Sequence, residues 1–327
     1  MKRSPLTTLA TVVATASLAL TGCSSKKSDT AGTAQKDEYT IGITQIVAHP
    51  SLDASKAGFK KALTDAGLKV TYDEQNAQGD QATATSIATK FNDAKLDLVL
   101  AIATPTAQAS AQAITKTPIL FTAVTDPVSA QLVSSMDKPG SNITGTSDMN
   151  PVAEQIALIK KIKPSAKSVG ILYSSGEVNS EVQVKAAKEA AAKEGLEVVT
   201  KTITNTSELQ QAAQSLSADA WYLPTDNNVV SGLDSVLATA ESKKIPVVAG
   251  EGDSVKKGAL ITYGIDYTKL GEQTGKMAVK ILKEGADPAS MAVETQTDPK
   301  LMVNETTAKK IGITIPAELQ GKAEVVK

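Results

Sequence analysis

Cysteine, arginine, histidine and aromatic residues are all scarce in this 327-residue chain. Cys23 is the only cysteine, Arg3 the only arginine and His49 the only histidine. A single cysteine excludes a disulfide framework, so the core itself must stabilise the fold. A single histidine argues against zinc and other imidazole-ligated metal sites, and no sequence feature indicates a cofactor.

The missing arginines also narrow the class of ligand. Arginine is the favoured bidentate partner of phosphate, sulfate and dicarboxylates, so these ligands are disfavoured. Aromatic residues make up 3% of the chain, which leaves few stacking platforms for a sugar. The chain carries 34 Lys+Arg and 35 Asp+Glu, and without its first 22 residues the net charge is −3. This balance provides no basic patch for nucleic acid.

Enzyme chemistry finds little support in the sequence. A Ser-His-Asp or Cys-His arrangement would have to use His49. No P-loop is present, and no GxGxxG follows a predicted strand. Paired Asp/Glu chemistry stays open from the sequence alone, but we expect no enzyme.

The N-terminus has the pattern of an export signal. Lys2 and Arg3 precede an uncharged, mostly apolar stretch from Leu6 to Leu20, which is too short to span a bilayer. The segment Leu20-Thr-Gly-Cys23 resembles the lipobox of bacterial lipoproteins. It predicts a signal peptide over residues 1–22 and a lipid, such as palmitate, on Cys23. The alternative is an ordinary cleaved signal followed by a chance cysteine.

A polar segment separates that cysteine from the first predicted strand. Residues 24–38 lack apolar periodicity, so we interpret residues 23–38 as a flexible tether. No second long apolar run occurs. The expected location is therefore extracytoplasmic, anchored to the cell membrane by the lipid on Cys23.

Predicted strands and helices alternate in the remainder, which is the βαβ pattern of a parallel sheet. The predicted elements are strands 39–44, 68–72 and 96–102 and helices 50–66, 81–93 and 107–114. The pattern recurs at an offset of 128 residues, which relates Gly42 to Gly170, Gly67 to Gly195 and Pro118 to Pro246. The fold class predicted is α/β, with two similar doubly wound lobes joined by a hinge. One large sheet with accidental spacing is the alternative.

Two such lobes leave a cleft, and ligands of parallel sheets bind at the carboxyl ends of strands. We therefore expect eight loops to face the cleft: 44–49, 103–107, 123–127, 146–150, 174–180, 224–228, 249–253 and 263–267. Polar residues in these loops are the ligand-binding candidates. They are Gln45, His49, Thr104, Thr106, Thr125, Asp126, Asn179, Thr225, Asp226, Asn227 and Glu251.

A free amino acid would need partners for two charges. Thr104 and Pro105 fit the N-cap and first position of a helix, whose start could hold a carboxylate without arginine. A desolvated ammonium needs an acidic partner, for which Asp226 is the first candidate and Glu251 the second. Asp126 is the third, although Asp126-Pro127 also fits a helix cap. For His49, capping and ligand contact are equally favoured.

Several segments together resemble one family, the tryptophan/tyrosine-type substrate-binding proteins of ABC transporters, which have the type I periplasmic-binding fold. The resemblance covers residues 39–320. It is carried by ITQIVAHPSLD (43–53), ATPTA (103–107), FTAVTDP (121–127), NITGT (142–146), LPTDN (223–227), Asn304-Glu305 and GITIP (312–316).

This resemblance implies an extracytoplasmic receptor that closes around a small molecule, often an aromatic amino acid such as tryptophan, and delivers it to an ABC permease and its ATPase. It also implies three chain crossings between lobes. The first lobe would contain residues 39–146 and 267–294, and the second 147–266 and 295–327. We expect a monomer. The alternative is a sensor module that uses the same fold to report a ligand to a signalling partner.

Overall fold

The computed structural model describes Lys36 and residues 38–327, in which strands and helices alternate. The predicted signal peptide, Cys23 and nearly all of the predicted tether lie outside the described residues. The strands are β1 (Tyr39–Gln45), β2 (Val70–Asn76), β3 (Leu98–Ile102), β4 (Ile119–Val124), β5 (Ile143–Ser147), β6 (Ser168–Ser174), β7 (Glu197–Ile203), β8 (Ala220–Leu223), β9 (Val247–Ala249), β10 (Ile261–Gly264), β11 (Glu294–Thr295), β12 (Lys300–Asn304) and β13 (Glu324–Val326).

Twelve α-helices connect or follow these strands in the part of the chain that the structure describes. They are α1 (Pro50–Asp65), α2 (Gln81–Asp93), α3 (Thr104–Ala113), α4 (Val152–Ile162), α5 (Val178–Lys193), α6 (Leu209–Ser215), α7 (Asn227–Ser231), α8 (Leu233–Ser242), α9 (Gly252–Lys257), α10 (Tyr267–Glu284), α11 (Glu305–Ile311) and α12 (Ala317–Gln320). Across residues 38–327, none of the helices combines the length and apolar character that a membrane span requires.

The strands form two sheets, and each sheet is the centre of one lobe. The first has the order β11-β5-β4-β3-β1-β2 and the second β13-β12-β10-β9-β8-β6-β7. Neighbouring strands are parallel except β10 and β12. The predicted fold class, two doubly wound α/β lobes, is therefore confirmed.

The chain passes between the lobes three times. It leaves the first sheet after β5, returns from β10 into α10, and leaves again after β11 for β12. These passages lie between Ser147 and Val152, between Gly264 and Tyr267, and between Thr295 and Lys300. The cleft loops are thus bounded on one side by connecting segments, which suits hinge motion.

The internal repeat has the same packing role in both lobes. A Cβ on Gly42 of β1 would lie 2.7 Å from Leu96 and 2.9 Å from Phe91, and one on Gly170 of β6 would lie 2.9 Å from Leu216 and Trp221. In both first strands, the missing side chain makes room for apolar residues that pack against the sheet. The offset of 128 residues between Gly42 and Gly170 therefore reflects the same requirement in each lobe, a strand residue without a side chain.

Two strands, β2 and β3, begin two residues later than predicted. The prediction placed a strand over residues 68–72, but β2 begins at Val70. Gly67 adopts the left-handed conformation, φ +71°, and the Leu68 amide donates to the Leu63 carbonyl at 3.1 Å. Leu68 therefore belongs to the end of α1, since this bond closes the last turn of the helix.

Helix α10 returns to the first lobe by packing closely along α1. A Cβ on Gly271 would lie 1.9 Å from the Ser55 carbonyl oxygen, and one on Gly58 would lie 2.1 Å from the Thr268 carbonyl oxygen. The Ser55 hydroxyl also donates to the Tyr267 carbonyl at 3.1 Å. These contacts fix the first residue of α10, Tyr267, at the mouth of the cleft.

Candidate ligand-binding site between the lobes

A small, closely walled cavity lies between the lobes. Seven of the eight predicted cleft loops contribute to it; only loop 103–107 does not. The residues that line it are His49, Leu52, Ala123, Thr125, Asp148, Asn179, Thr225, Asn227, Val230, Glu251 and Tyr267.

Asp148 presents a buried carboxylate in the connection that follows β5. It accepts hydrogen bonds from the Tyr267 hydroxyl at 2.6 Å and the Thr125 hydroxyl at 3.0 Å, one on each oxygen. Burial raises the pKa of Asp148, and the two hydroxyls oppose this shift. Because a carboxylate has about four acceptor sites, Asp148 keeps capacity for further donors.

Glu251 is the second carboxylate of the cavity, and its own lobe already surrounds it. It is the N-cap of α9 and accepts from the amides of Ser254 and Asp253 at 2.8 and 2.5 Å, and from the Ser254 hydroxyl. The Ser51 hydroxyl of the first lobe donates to it at 2.9 Å and to Asp253 at 3.0 Å. Glu251 therefore has its acceptor sites largely filled, and one of its hydrogen bonds joins the two lobes.

Amides and a hydroxyl form the wall on the second lobe. Asn179 lies in the first turn of α5, and its Nδ2 donates to Glu177 at 2.8 Å and to the Thr225 carbonyl at 3.1 Å. Asn227 begins α7, and its Nδ2 donates to Glu177 at 2.7 Å. The amide nitrogens of both residues therefore point into the protein.

His49 precedes α1 and lines the cavity from the first lobe. It occupies the N-cap position, but its side chain makes no capping hydrogen bond. Burial lowers the pKa of His49 to about 4, although Asp53 and the Asn227 amide act in the opposite direction. The imidazole is therefore neutral at physiological pH. The structure therefore shows no capping by the His49 side chain and places His49 in the cavity wall.

Three polar atoms of the cavity residues have no hydrogen-bond partner among the described residues. They are His49 Nδ1, Asn179 Oδ1 and Thr225 Oγ1. Buried polar atoms are normally hydrogen-bonded, so these three atoms leave hydrogen-bonding capacity for a polar ligand. The cavity residues include two carboxylates and no lysine or arginine, which favours a ligand with a positive charge. No group of three or more His, Cys, Asp or Glu side chains within the described part of the chain could hold a metal ion.

Six of the eleven predicted binding residues line the cavity: His49, Thr125, Asn179, Thr225, Asn227 and Glu251.

The structure places Asp226, the first candidate for an ammonium partner, outside the cavity. Asp226 is fully buried and is the N-cap of α7. Its carboxylate accepts from the amide of Val229, the amide and hydroxyl of Ser174, and the hydroxyl of Ser180, at 2.5 to 3.1 Å. With four donors from its own lobe, Asp226 holds two loops together instead of lining the cavity.

The structure places the predicted carboxylate site at Thr104–Thr106 outside the cavity. Helix α3 begins at Thr104, one residue early, because Ala103 takes the N-cap position with φ +80°. The Thr106 hydroxyl donates to the carbonyls of Ile102 and Ala103 at 2.6 and 3.0 Å. Neither threonine lines the cavity. The Thr106 hydroxyl is bound within the start of its own helix, and both side chains are buried in the first lobe.

Gln45 and Asp126 have local roles as well. The Gln45 Nε2 donates to the Val47 carbonyl and to Asp53, each at 2.9 Å, which fixes the loop before α1. Asp126 accepts from the amides of Val128 and Ser129 at 3.1 and 3.0 Å. Capping is therefore the role of Asp126, but it caps a turn and not a helix.

Sequence reasoning missed Asp148 and Tyr267 as cavity residues, together with Leu52, Ala123 and Val230. Both polar residues lie in loops that were predicted to face the cleft, so the loop positions contained the signal. Ala123 has φ +56°, and the pairing of β4 with β5 is irregular beside it. This bulge directs the next residues, including Thr125, towards the cavity.

Comparisons with known proteins agree with this architecture. The sequence profile described as ABC transporter substrate binding protein matches residues 40–327. A tyrosine-binding protein of Clostridioides difficile (strain R20291) is 45% identical over 303 residues, which are 89% of this chain and 88% of that protein.

Two solved structures show the same fold in different states. An ABC domain of Streptococcus pneumoniae in complex with L-Trp is 38% identical, with a TM-score of 0.85. The match covers 89% of this chain and 100% of that domain's chain. The ligand-free, open structure of a Clostridium difficile substrate-binding protein with adhesive properties is 47% identical, with a TM-score of 0.67. The match covers 88% of this chain and 99% of that protein's chain. The more similar sequence gives the poorer superposition. The lobes here are thus arranged more like those of the ligand complex than like those of the open relative.

The two parallel-sheet lobes form the type I periplasmic-binding fold, and the profile matches nearly all of the described residues. This chain belongs to the ABC transporter substrate-binding protein family.

Proposed function

We propose that this protein captures an aromatic L-α-amino acid between its lobes and delivers it to an ABC permease. The observation that carries the proposal is the cavity itself, which combines an unfilled carboxylate, Asp148, with polar atoms that lack partners. An amino acid zwitterion supplies both a cation and an anion to such a site. The relatives that bind tyrosine and L-Trp support an aromatic side chain.

Asp148 is the proposed partner of the ligand ammonium. Two hydroxyl donors occupy about half of its acceptor sites, whereas Glu251 already accepts four hydrogen bonds. A buried ammonium requires a carboxylate with free acceptor sites. This argument assigns the ammonium to the connection after β5. Sequence reasoning had instead ranked Asp226 first, Glu251 second and Asp126 third.

The start of α1 is the proposed site of the ligand carboxylate. The amides of Ser51 and Leu52 donate to no acceptor among the described residues, and Leu52 lines the cavity. His49 Nδ1, also without a partner, lies in the residue before this helix. Free amides and the helix dipole favour an anion at this position without arginine.

The side chain of the ligand would then contact the apolar residues of the cavity. Leu52 and Ala123 of the first lobe and Val230 of the second supply this surface. Because the ligand contacts both lobes, it binds the closed state more strongly than the open state. This differential affinity drives closure.

Delivery to a permease requires a position at the membrane. We propose that a lipid on Cys23 anchors the protein outside the cytoplasm and that residues 24–38 act as a tether, with the protein as a monomer. A sensor that reports the same ligand to a signalling partner is the second candidate function. A neighbouring gene for a permease and an ATPase favours import, and a neighbouring sensor kinase gene favours signalling.

A thermal-shift screen across the amino acids, followed by calorimetry, tests the ligand assignment. A ligand that binds only the folded protein raises its melting temperature. We expect tyrosine or tryptophan to give the largest shift. If no amino acid shifts the transition, the proposed ligand class is wrong.

Membrane fractionation of Cys23→Ala tests the anchor. The variant should leave the membrane fraction and keep its ligand affinity, because Cys23 precedes the whole α/β body. Full membrane retention of the variant would contradict lipidation at this residue.

A further inference from the structure

Glu177 lies directly behind the amides on the second lobe of the cavity. It precedes α5, is 6% exposed and does not line the cavity. Oε2 accepts from Asn179 Nδ2 at 2.8 Å, from Asn227 Nδ2 at 2.7 Å and from the Asn227 backbone amide at 3.1 Å. Oε1 accepts from Asn228 Nδ2 at 3.2 Å. All four partners are donors, so this environment fits an ionised carboxylate.

These bonds determine which end of each amide faces the cavity. A carboxylate can only accept, so it binds the NH2 groups of Asn179 and Asn227 and turns their carbonyl oxygens away from itself. Both residues line the cavity, and Asn179 Oδ1 is buried without a partner among the described residues. The wall of the second lobe therefore offers one free hydrogen-bond acceptor, Asn179 Oδ1, whereas the Asn227 side chain hydrogen-bonds His49.

We propose that Glu177 is a positioning residue that holds the carbonyl oxygen of Asn179 towards the cavity and so selects ligands whose ring carries a hydrogen-bond donor. The selected class is an aromatic L-amino acid with a phenol O–H or an indole N–H, in preference to one with a plain phenyl ring. This inference rests on the proposed function, in which Asp148 binds the ammonium. The neutral Asn179 amide oxygen of the second lobe then remains for the donor on the ring.

The selectivity follows from the cost of an unpaired buried acceptor. A ligand with a phenyl ring would cover Asn179 Oδ1 and give it no donor. A binding site that is built to hydrogen-bond a ligand group rejects analogues that lack it much more strongly than it rejects a change in apolar size. We therefore expect phenylalanine to bind at least about tenfold more weakly than the favoured ligand.

Protonation provides a second test of the same geometry. Burial raises the pKa of Glu177 to about 8, and the nearby Asp226 carboxylate acts in the same direction. Asp226 also has a raised pKa because it is buried. From the first lobe, His49 lies near Asn227, but its pKa of about 4 keeps it neutral above pH 6.

A protonated Glu177 would carry an O–H that needs an acceptor, yet its four partners are donors. One amide would have to turn its oxygen towards Glu177, which removes that oxygen from the cavity. The ionised form is therefore the binding form. The affinity for tyrosine or tryptophan should rise with pH between 6 and 8.

Glu177→Gln imitates the protonated form at every pH, because its amide brings two donors to the same place. We expect its affinity for tyrosine and tryptophan to fall about tenfold to a hundredfold, while its affinity for phenylalanine changes less than about threefold. Its affinity should also lose the rise between pH 6 and 8. Glu189→Gln is the matched control, since it makes the same change on the exposed face of the same helix.

Calorimetry with tyrosine, tryptophan and phenylalanine at several pH values separates the outcomes. A folded Glu177→Gln variant with unchanged affinity, or with equal losses for all three ligands, would overturn the inference. If that variant does not fold, a flat pH profile of the wild-type protein between pH 6 and 8 would overturn it instead. A wild-type protein that binds none of the three ligands would contradict the proposed function itself.

Discussion

Replacement of Asp148 by asparagine is the sharpest test of how the ligand is held. The side chain is 3% exposed, and its two hydroxyl partners leave about half of its acceptor sites for the ligand. Asparagine has nearly the same shape but no charge, and it replaces one acceptor oxygen with a donor. Removing one member of a buried charge pair costs about 2–5 kcal/mol, which corresponds to a loss of affinity of about 30-fold to several-thousand-fold.

The same change should not destabilise the free protein at neutral pH. Burial raises the pKa of Asp148, so the folded state prefers the protonated form. For such an acid, its contribution to stability is fully present below the ordinary pKa of 3.8 and is lost as the pH rises through the raised value. At pH 7 the charged carboxylate is therefore a cost to the free protein. Asn removes this cost, so we expect an unchanged or higher melting temperature.

Calorimetry and thermal unfolding of three variants provide the measurement. Asp148→Asn should lose affinity and keep its stability. Asp126→Asn is the matched control, because Asp126 caps a turn outside the cavity. Glu251→Gln should lose less affinity and more stability, since it disturbs the cap of α9. If Asp148→Asn binds within threefold of the wild type while Glu251→Gln loses more than 30-fold, the ammonium lies on Glu251 and our reasoning is refuted.

Three further predictions follow from other contacts. Ser51→Ala removes the hydroxyl that joins the lobes, so ligand affinity should fall about tenfold, mainly through faster dissociation in stopped-flow measurements. Equal dissociation rates would show that this bond does not stabilise the closed state. Gly271→Ala would place a Cβ 1.9 Å from the Ser55 carbonyl, and chemical denaturation should show a loss of at least about 2 kcal/mol, whereas the control Gly176→Ala, with open space around it, should lose under about 1 kcal/mol. Similar losses for both would argue against close packing of α10 on α1. For His49, whose pKa is lowered by burial, stability should fall as the pH drops from 6.5 towards 4, and His49→Gln should flatten this decline in thermal unfolding. An unchanged slope would mean that His49 is not the group that titrates.

The repeat and the cleft loops could be predicted because their signals are local. Gly42 and Gly170 have the same packing need in the first strand of each lobe, and Gly67 and Gly195 each take the left-handed conformation after a helix, with φ +71° and +65°. Such requirements depend on a few neighbouring residues, so the spacing of glycines along the sequence is enough to predict them. The carboxyl ends of parallel strands then place the loops at one edge.

The carboxylate that faces the ligand could not be chosen from the sequence. Asp226 and Asp148 both lie in loops at the cleft, and both follow strands. Asp226 turns inward because Ser174 and Ser180, about 50 residues earlier, bring donors to it. Asp148 stays at the cavity because Tyr267, 119 residues later, supplies only one donor. The direction of each side chain depends on partners from distant parts of the chain.

The sequence by itself therefore determined the class of fold, the two lobes and the edge at which they bind. It did so because strand and helix periodicity, glycine positions and the scarcity of arginine are properties of the chain alone. Only the tertiary structure decided which polar groups are used up in capping and which remain free for a ligand. Whether a polar group has all its hydrogen-bond partners depends on the residues around it in the folded protein. It cannot be predicted from the spacing of residues along the chain.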